Sequence, residues 1–333
     1  MTQGQKRILT GDRTTGKLHL GHYVGSLQNR VRLQDEYETF ILLADIQALT
    51  THFKHPDLIK NSIYQVAIDN LAVGLDPNKI TFVQQSRITS IAELTVFYSM
   101  FVTVNTLRHN PTTKTEAKQY GYEDLTYGFL GYPVSQAADI TFCKADLVPV
   151  GEDQLPHMEQ TRKIVRRFNE LYGKGQEVLK EPDTLLSPTP RLVGLDGNSK
   201  MGKSLGNALY LSDTEIEVTQ KVRAAVTDPA RIRVSDKGHP DICTVSQYHK
   251  AFNRDEYEDI CARCKGATIG CVACKKRLAG CINTLLEPMR EKRAYYESHL
   301  DEVKELIING SEKANRIGDS TMEQVKAAMN IKL

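Results

Sequence analysis

The chain has 333 residues, of which 40% are hydrophobic and 25% are charged, values typical of an ordinary globular protein. Its 43 basic and 41 acidic residues give a formal net charge of +2, which excludes the strongly basic balance of a protein that coats nucleic acid. No apolar run approaches the roughly 20 residues of a membrane span, and no basic and apolar leader opens the sequence. We therefore expect a cytoplasmic protein with two domains, or with one large domain and a helical appendage.

The N-terminal half alternates apolar strands with helical stretches. A first short strand ends at Leu9, a glycine-punctuated loop follows, and apolar residues recur at helical spacing from Leu20 onward. Further strands begin at Phe40 and Ile80, with a helix from about Pro56 between them. Strands that alternate with helices indicate a parallel sheet that is covered on both faces.

The rest of the chain is dominated by helical patterns. Residues 91–139 are mostly helical, and the apolar run LVPV then leads into a glycine and acid turn. No convincing strand pattern follows residue 211. We therefore predict an α/β fold, with a Rossmann-like parallel-sheet catalytic domain over residues 1–207 and an all-helical domain over residues 208–333.

Two histidines stand at the predicted start of the first helix, in the motif His19-Leu20-Gly21-His22. Residues three apart share a helix face, and the first-turn amides and the helix dipole favour anions there. Imidazoles can donate hydrogen bonds to phosphoryl oxygens, and Gly21 leaves room for a nucleotide against the backbone. The motif predicts a phosphate site, although taken alone it is equally compatible with two incidental histidines at a helix end.

A second motif, Lys200-Met201-Gly202-Lys203-Ser204, lies in a glycine-rich stretch. The glycines predict a mobile loop. Two lysines on such a loop are suited to closing on a triphosphate and neutralising charge in the transition state.

Together the two motifs, HLGH and KMGKS, resemble the HIGH and KMSKS signatures of the class I aminoacyl-tRNA synthetases, in the proper order. Gly202 departs from the family pattern but leaves both lysines in place. The stretches YPVSQAADI and PVGEDQLPHMEQTR are similar to the tryptophanyl branch rather than to the tyrosyl branch. The resemblance covers most of the chain and implies ATP-dependent attachment of L-tryptophan to tRNA-Trp through a tryptophanyl-adenylate. It also implies Mg²⁺ with the ATP and a homodimer.

The resemblance further implies which residues form the site. The catalytic residues would be His19, His22, Lys200 and Lys203. The ATP-binding residues would be Arg13, Thr15, Gly16, Gly21, His22, Gly151, Asp153, Lys200, Met201, Lys203 and Ser204. The tryptophan-binding residues would be Gln47, Tyr132, Gln136, Asp139 and Gln154.

Within that set, Asp139 would accept a hydrogen bond from the indole N–H. The indole nitrogen is only a donor, so a buried acceptor suits it, and phenylalanine would leave that acceptor unpaired. Such a mismatch gives discrimination on the order of 10⁴-fold or more, so no editing domain is expected. Without the resemblance, Asp139 would equally be an N-cap or a satisfied core carboxylate, and Asp153 a capping acid in a polar turn.

Six of the seven cysteines cluster in the C-terminal part of the chain. The spacing Cys243-x20-Cys264-x6-Cys271-x2-Cys274 resembles a bacterial tryptophanyl subgroup that carries a 4Fe-4S cluster beside the anticodon-binding region, although the first interval there is slightly longer. Without the resemblance, the two CxxC pairs that begin at Cys261 and Cys271 would suit tetrahedral Zn²⁺ equally well. We expect 4Fe-4S on Cys243, Cys264, Cys271 and Cys274, with zinc as the alternative and Cys261 as the rival fourth ligand. Free cysteines are the third possibility.

Two local basic stretches are candidates for contact with RNA. One covers residues 108–118, and the other includes Lys265, Lys275, Lys276 and Arg277. The alternative is that both are solvated helix faces. If the resemblance holds, the second stretch would face the anticodon loop, because proteins distinguish RNA sequences mainly where bases are unstacked.

Three other functions share some of these features: a tyrosyl-tRNA synthetase, a small-molecule nucleotidyltransferase and a noncatalytic paralogue that binds tryptophan or tRNA. A nucleotidyltransferase would not need a helical anticodon domain. The two intact motifs favour a catalyst over a noncatalytic paralogue. The tyrosyl enzyme therefore remains the nearest alternative.

Overall fold

A five-stranded parallel sheet forms the centre of the computed structural model, which describes residues 5–186, 192–197 and 201–332, without the side chain of Ser204. The strands are β1 (Arg7–Arg13), β2 (Glu38–Ala44), β3 (Ile80–Gln84), β4 (Leu147–Val150) and β5 (Asp183–Leu186). Their order in the sheet is β3-β2-β1-β4-β5. The predicted α/β fold class is confirmed.

The strand order reverses between β1 and β4. The chain adds β2 and β3 on one side of β1 and then crosses to add β4 and β5 on the other side. In open parallel sheets, ligands bind at the carboxyl ends of the strands where the order reverses. The HLGH loop leaves β1 at this place.

Two details of the strands differ from the sequence expectations. Strand β1 continues past Leu9 to Arg13, because its polar end pairs with β2 in register up to Arg13 and Ala44. Strand β5 is not predicted by the sequence, since it is a four-residue edge strand without a buried apolar run.

Helices cover both faces of the sheet. The first helical stretch consists of α1 (Leu20–His22), a π-helical turn (Tyr23–Leu27) and α2 (Gln28–Leu33). The others in the N-terminal part are α3 (Asp45–His52), α4 (Pro56–Ala72), α5 (Thr89–Ser99), α6 (Val104–His109), α7 (Pro111–Gln119), α8 (Tyr127–Thr141) and α9 (Leu155–Tyr172). The C-terminal helices are α10 (Glu215–Ala224), α11 (Thr244–Phe252), α12 (Arg254–Lys265), α13 (Cys271–Ser298) and α14 (Leu300–Ala328).

The core has two parts, one on each face of the sheet. Ile41 and Leu43 of β2 pack with residues of α4, α10 and α13, whereas Phe40 and Leu42 pack with residues of α5, α8, α9 and α14. This alternation follows from the two-residue period of a strand. Because both faces are covered, β2 is a nearly continuous apolar run.

The C-terminal helices pack back onto the sheet. Gly310 of α14 lies against the backbone of Phe82 in β3, and the Ser311 hydroxyl accepts a hydrogen bond from the Gln84 N–H at 3.0 Å. All regular elements in residues 211–332, which are fully described, are helical, as predicted. None of the described helices has the length and apolar character that crossing a membrane requires.

Candidate active site

The HLGH motif begins the first helix through its own histidines. His19 is the N-cap: its Nδ1 accepts from the Gly21 N–H at 3.1 Å, and the His22 Nδ1 accepts from the His19 N–H at 3.2 Å. The ring centroids lie 3.9 Å apart. A neutral ring whose Nδ1 accepts carries its proton on Nε2. Each histidine is therefore held in the tautomer that presents an Nε2–H donor.

The electrostatic surroundings keep His22 neutral. Burial of the ring, together with the proximity of the His19 ring and of the Lys203 ammonium group, holds the pKa of His22 well below its usual value of 6.5. The carboxylate of Asp12 acts in the opposite direction but is outweighed. At neutral pH this ring acts as a hydrogen-bond donor rather than as a cation.

The KMGKS loop lies against the loop that follows β1. The Lys203 Nζ donates to the Gly16 carbonyl at 2.7 Å, and Met201 is buried with its Cβ near Gly21. Burial lowers the pKa of Lys203 to about 8, against the carboxylates of Asp12 and Asp69, which act to raise it. Lys200 and the side chain of Ser204 lie outside the described residues.

The HLGH motif is joined through its backbone to the segment that follows KMGKS. The Leu20 N–H donates to the Leu209 carbonyl at 2.8 Å, and the Leu211 N–H donates to the Leu18 carbonyl at 3.0 Å. These bonds flank an antiparallel bridge between His19 and Tyr210. Motifs that are far apart in the sequence thus lie side by side.

A buried carboxylate lies in the predicted tryptophan pocket. Asp139 of α8 is 3% exposed and accepts two hydrogen bonds from the Gln85 Nε2, at 2.8 and 3.0 Å. The Gln85 Oε1 in turn accepts from the Gln47 N–H at 2.9 Å. Burial, with a contribution from the charge of Asp45, raises the pKa of Asp139 to about 7, although the Gln85 bonds act to lower it.

Tyr132, two turns before Asp139 on α8, contacts a second polar network. Its hydroxyl lies 2.9 Å from the His157 Nε2, and the Arg13 guanidinium lies over its ring at 5.2 Å from the centroid. Arg13 is paired with Glu116 of α7 at 3.2 Å. Burial lowers the pKa of His157 to about 4 and raises that of Tyr132 above its usual value, so both side chains are uncharged at neutral pH.

The remaining predicted residues lie around the same crevice. Thr15 is in the turn after β1, where its N–H donates to the Arg13 carbonyl at 2.9 Å. Gly151 follows β4, and the next turn carries Asp153 and Gln154, with the Gln154 Nε2 donating to the Asp153 Oδ2 at 3.1 Å. Gln136 is half-buried on α8, one turn before Asp139.

The four cysteines of the expected metal site lie at the ends of three helices: Cys243 precedes α11, Cys264 is in the last turn of α12, and Cys271 and Cys274 are in the first turn of α13. The Cys264 Sγ lies 3.5 Å from the Arg231 Nη1, and the Cys274 Sγ lies 3.4 Å from the His249 Nε2. Burial raises the pKa of Cys274 to about 12, and the charges of three other cysteines add to this effect: Cys243, Cys264 and Cys271. In the described part of the chain, no three cysteine, histidine or acidic side chains have the arrangement of ligands around a metal ion.

Comparison with known proteins decides the family. The profile described as "tRNA synthetases class I (W and Y)" matches residues 1–287. The chain belongs to this family.

Individual relatives of this synthetase agree with that assignment. A tryptophan–tRNA ligase of Clostridium longisporum is 47% identical over 331 residues, covering 97% of this chain and 96% of the relative. One from Streptococcus mutans is 48% identical over 334 residues, covering 97% and 98%. Among solved structures, a tryptophanyl-tRNA synthetase of Campylobacter jejuni complexed with ADP and tryptophan has a TM-score of 0.86 at 26% identity, covering 97% of this chain and 99% of that one.

Several residues of this synthetase's crevice carry no sequence signal that we recognised. Gln85 and His157 orient predicted residues, and Glu116 pairs with one. Glu116 lies in the basic stretch 108–118, and an acidic residue among basic ones was the only sequence feature that could have pointed to it. Only His157 falls within a stretch quoted for the resemblance, PVGEDQLPHMEQTR.

Proposed function

We propose that this synthetase reads tryptophan through Asp139, activates it with ATP and transfers it to tRNA-Trp. The observation that carries the choice of amino acid is the buried carboxylate of Asp139, which Gln85 holds through both of its oxygens. A carboxylate has about four lone-pair sites, so capacity remains for an indole N–H. The relatives named as tryptophan–tRNA ligases, at 47% and 48% identity over nearly the whole chain, support the same substrate.

The reaction has two steps. The tryptophan carboxylate attacks the α-phosphorus of ATP and pyrophosphate leaves, and then a terminal ribose hydroxyl of the tRNA attacks the carbonyl carbon of the adenylate and AMP leaves. Both nucleophiles belong to substrates, so the protein supplies position and electrostatic stabilisation. Mg²⁺ bound with the ATP would neutralise phosphate charge.

The phosphate groups meet three kinds of donor from this chain. His19 and His22 offer Nε2–H groups at the N-terminus of α1, where helix amides also favour anions. Lys203 is mostly protonated at neutral pH, because its pKa of about 8 lies above 7. We assign Lys200, whose position in the KMGKS motif matches the family, to the same role. The other residues assigned to ATP are Arg13, Thr15, Gly16, Gly21, Gly151, Asp153, Met201 and Ser204.

The amino-acid pocket is assigned to Asp139 and to four neutral polar side chains. These are Gln47, Tyr132, Gln136 and Gln154. The Gln85 bridge between the Gln47 backbone and the Asp139 carboxylate holds that carboxylate in place. Tyrosine would present its hydroxyl at the far end of the ring rather than at the ring edge where the indole N–H lies, so we expect it to leave the carboxylate without a well-placed donor.

ATP–pyrophosphate exchange with tryptophan and tyrosine, compared side by side, tests the assignment. Exchange with tryptophan alone is the expected result. Exchange with tyrosine alone would move the enzyme to the tyrosyl branch, and binding without any exchange would make it a noncatalytic paralogue.

The helical part from residue 208 onward is assigned as the anticodon-binding domain, with residues 1–207 as the catalytic domain. We propose a 4Fe-4S cluster on Cys243, Cys264, Cys271 and Cys274. Their positions support this set, because α12 and α13, which carry three of the cysteines, both pack against α11, which Cys243 precedes. Cys261 instead has its Sγ 3.8 Å from the Ser246 hydroxyl.

The spacing Cys243-x20-Cys264-x6-Cys271-x2-Cys274, which resembles that of the 4Fe-4S subgroup, favours a cluster over a single zinc ion, although thiolates bind both. The bound group would tie together the start of α11, the end of α12 and the start of α13. Iron, sulfide and zinc analysis of anaerobically purified protein distinguishes the two, and zinc without iron would overturn the cluster.

A second copy of the chain is the expected partner besides the tRNA. Exposed apolar side chains, including Val104 and Tyr127, which is 83% exposed, surround the mouth of a cavity of about 660 Å³ that Gln47 and Tyr132 of the assigned amino-acid pocket also line. Surfaces of this kind mark protein interfaces. Light scattering should report a dimer, and a monomer at micromolar concentration would contradict it. We place the enzyme in the cytoplasm, where its tRNA is charged.

A further inference from the structure

A fully buried carboxylate touches the backbone just before HLGH. Asp69 of α4 is 0% exposed, and its Oδ2 accepts from the Leu18 N–H at 2.7 Å. Its other oxygen, Oδ1, accepts from the Nη1 of Arg293. The two oxygens thus join the peptide that precedes His19 to an arginine of α13.

The arginine is held as firmly as the carboxylate. Arg293 is 4% exposed, and its Nη2 donates to the Gln65 Oε1 and lies 2.9 Å from the Glu297 carboxylate. A guanidinium is planar and presents its donors in a fixed fork, so several acceptors define its orientation. The fixed guanidinium of Arg293 in turn orients the Asp69 carboxylate.

Both backbone groups of Leu18 are therefore hydrogen-bonded. Its N–H is bonded to Asp69, and its carbonyl accepts from the Leu211 N–H at 3.0 Å. Leu211 lies in the segment that follows the KMGKS loop. The charge of Asp69 also acts to raise the pKa of Lys203, against the lowering effect of burial. The carboxylate thus touches the approach to one signature motif and acts electrostatically on the other.

We propose that Asp69 and Arg293 are positioning residues for ATP activation, in which an arginine of the C-terminal helices fixes the peptide that aims the HLGH histidines. The inference rests on the assignment of HLGH to ATP. It predicts that loss of the pair disturbs adenylate formation while leaving recognition of the indole intact, because Asp139 belongs to the other part of the core. A purely structural pair would lower stability without changing the kinetics of the molecules that remain folded.

Substitutions can separate these possibilities. Asp69→Asn keeps the shape but leaves one acceptor oxygen for two donors, so either Leu18 or Arg293 loses its bond. Arg293→Met removes the donor, and Arg293→Lys keeps a positive charge without the fork. A matched control is Lys313→Met, which breaks the 3.1 Å pair of Lys313 with Glu38; like the Asp69–Arg293 pair, this pair joins a C-terminal helix to the N-terminal half of the chain.

The measurement is ATP–pyrophosphate exchange, with kcat normalised to the number of adenylate-forming sites. We expect kcat to fall about 10- to 100-fold in Asp69→Asn and Arg293→Met, as small misplacements distant from the chemistry can cause. The KM for ATP should rise, the KM for tryptophan should stay within about twofold of wild type, and Arg293→Lys should recover part of kcat. Lys313→Met should match wild type.

Other results would overturn the inference. These are wild-type kcat and ATP KM in folded Asp69→Asn, equal changes in both KM values, or a loss explained entirely by a smaller number of active sites. If Arg293→Met does not fold, Asp69→Asn and Arg293→Lys decide on the same criteria. Lack of exchange in the wild type would refute the proposed function instead, so the two failures are distinguishable.

Discussion

The guanidinium of Arg13 and the carboxylate of Glu116 form an ion pair, with the Nη2 and Oε2 atoms 3.2 Å apart. The pair joins the end of β1 to α7. Both side chains are about a quarter exposed, at 26% and 21%, so the pair contributes little to stability. Its effect is to hold Arg13 over the Tyr132 ring.

Glu116→Gln should therefore change substrate binding more than stability. We expect the KM for ATP to rise by about 3- to 10-fold, because Arg13 loses its orienting partner, with a cost of about 1 kcal/mol or less in unfolding free energy. Steady-state exchange kinetics and denaturant unfolding measure the two effects. Glu181→Gln, which breaks the exposed pair with Arg166, is the control and should leave both values unchanged. An unaltered ATP KM in Glu116→Gln would contradict the role given to the pair.

Tryptophan recognition should depend on the ionisation of Asp139. Its pKa of about 7 means that the carboxylate is ionised above pH 7 and protonated below it. A charged acceptor binds an N–H more strongly than a neutral one, so kcat/KM for tryptophan should rise between pH 6 and pH 8.

Asp139→Asn should lower kcat/KM for tryptophan about tenfold or more and remove that rise, because hydrogen bonds to charged groups contribute about 1.5–3 kcal/mol. Exchange assays across this pH range test both effects. The same pH profile in the variant would assign the titration to another group.

Lys203 is expected to act as a cation on the phosphates. Lys203→Met should lower kcat for exchange by about 10²- to 10³-fold, the range seen when one preorganised donor is removed from a transition state. The KM for tryptophan should be unaffected. Because the pKa of Lys203 is about 8, kcat/KM for ATP should also fall above pH 8 as the ammonium group loses its proton. An activity that tolerates Lys203→Met would assign the phosphate contacts elsewhere.

The cysteine set can be tested by paired substitutions. Cys264→Ser should abolish the bound iron, because it removes one of the four proposed ligands. Cys261→Ser should leave the iron content unchanged, since its Sγ faces Ser246. Iron and sulfide analysis and the visible absorption spectrum report the outcome. Loss of iron in both variants would place Cys261 among the ligands.

The features that the sequence predicted correctly are those that depend on residues close together in the chain. The strands at Phe40 and Ile80 carry their own apolar signal, and HLGH begins its helix through bonds between neighbours. Strand β5 has no comparable signal, since pairing with β4 defines it. Periodicity also does not distinguish the π-helical turn Tyr23–Leu27 from an α-helix.

Contacts between distant positions were the part that could not be predicted. Asp69 and Arg293 are separated by 224 positions, and Gln85 and Asp139 by 54. Each side chain alone has an ordinary surface or core explanation. Only the fold shows that Gln85 orients the predicted Asp139, and no motif marks Asp69 as the partner of Leu18.

The place of Arg293 near the end of the chain has a consequence for synthesis of the protein. The ribosome makes the HLGH and KMGKS motifs first. Arg293, which holds the Asp69 carboxylate against the Leu18 N–H, is made only after most of α13. A nascent chain that stops before this point holds both signatures but lacks the guanidinium that donates to Asp69. The contacts around the approach to HLGH are therefore complete only when most of the chain has been made.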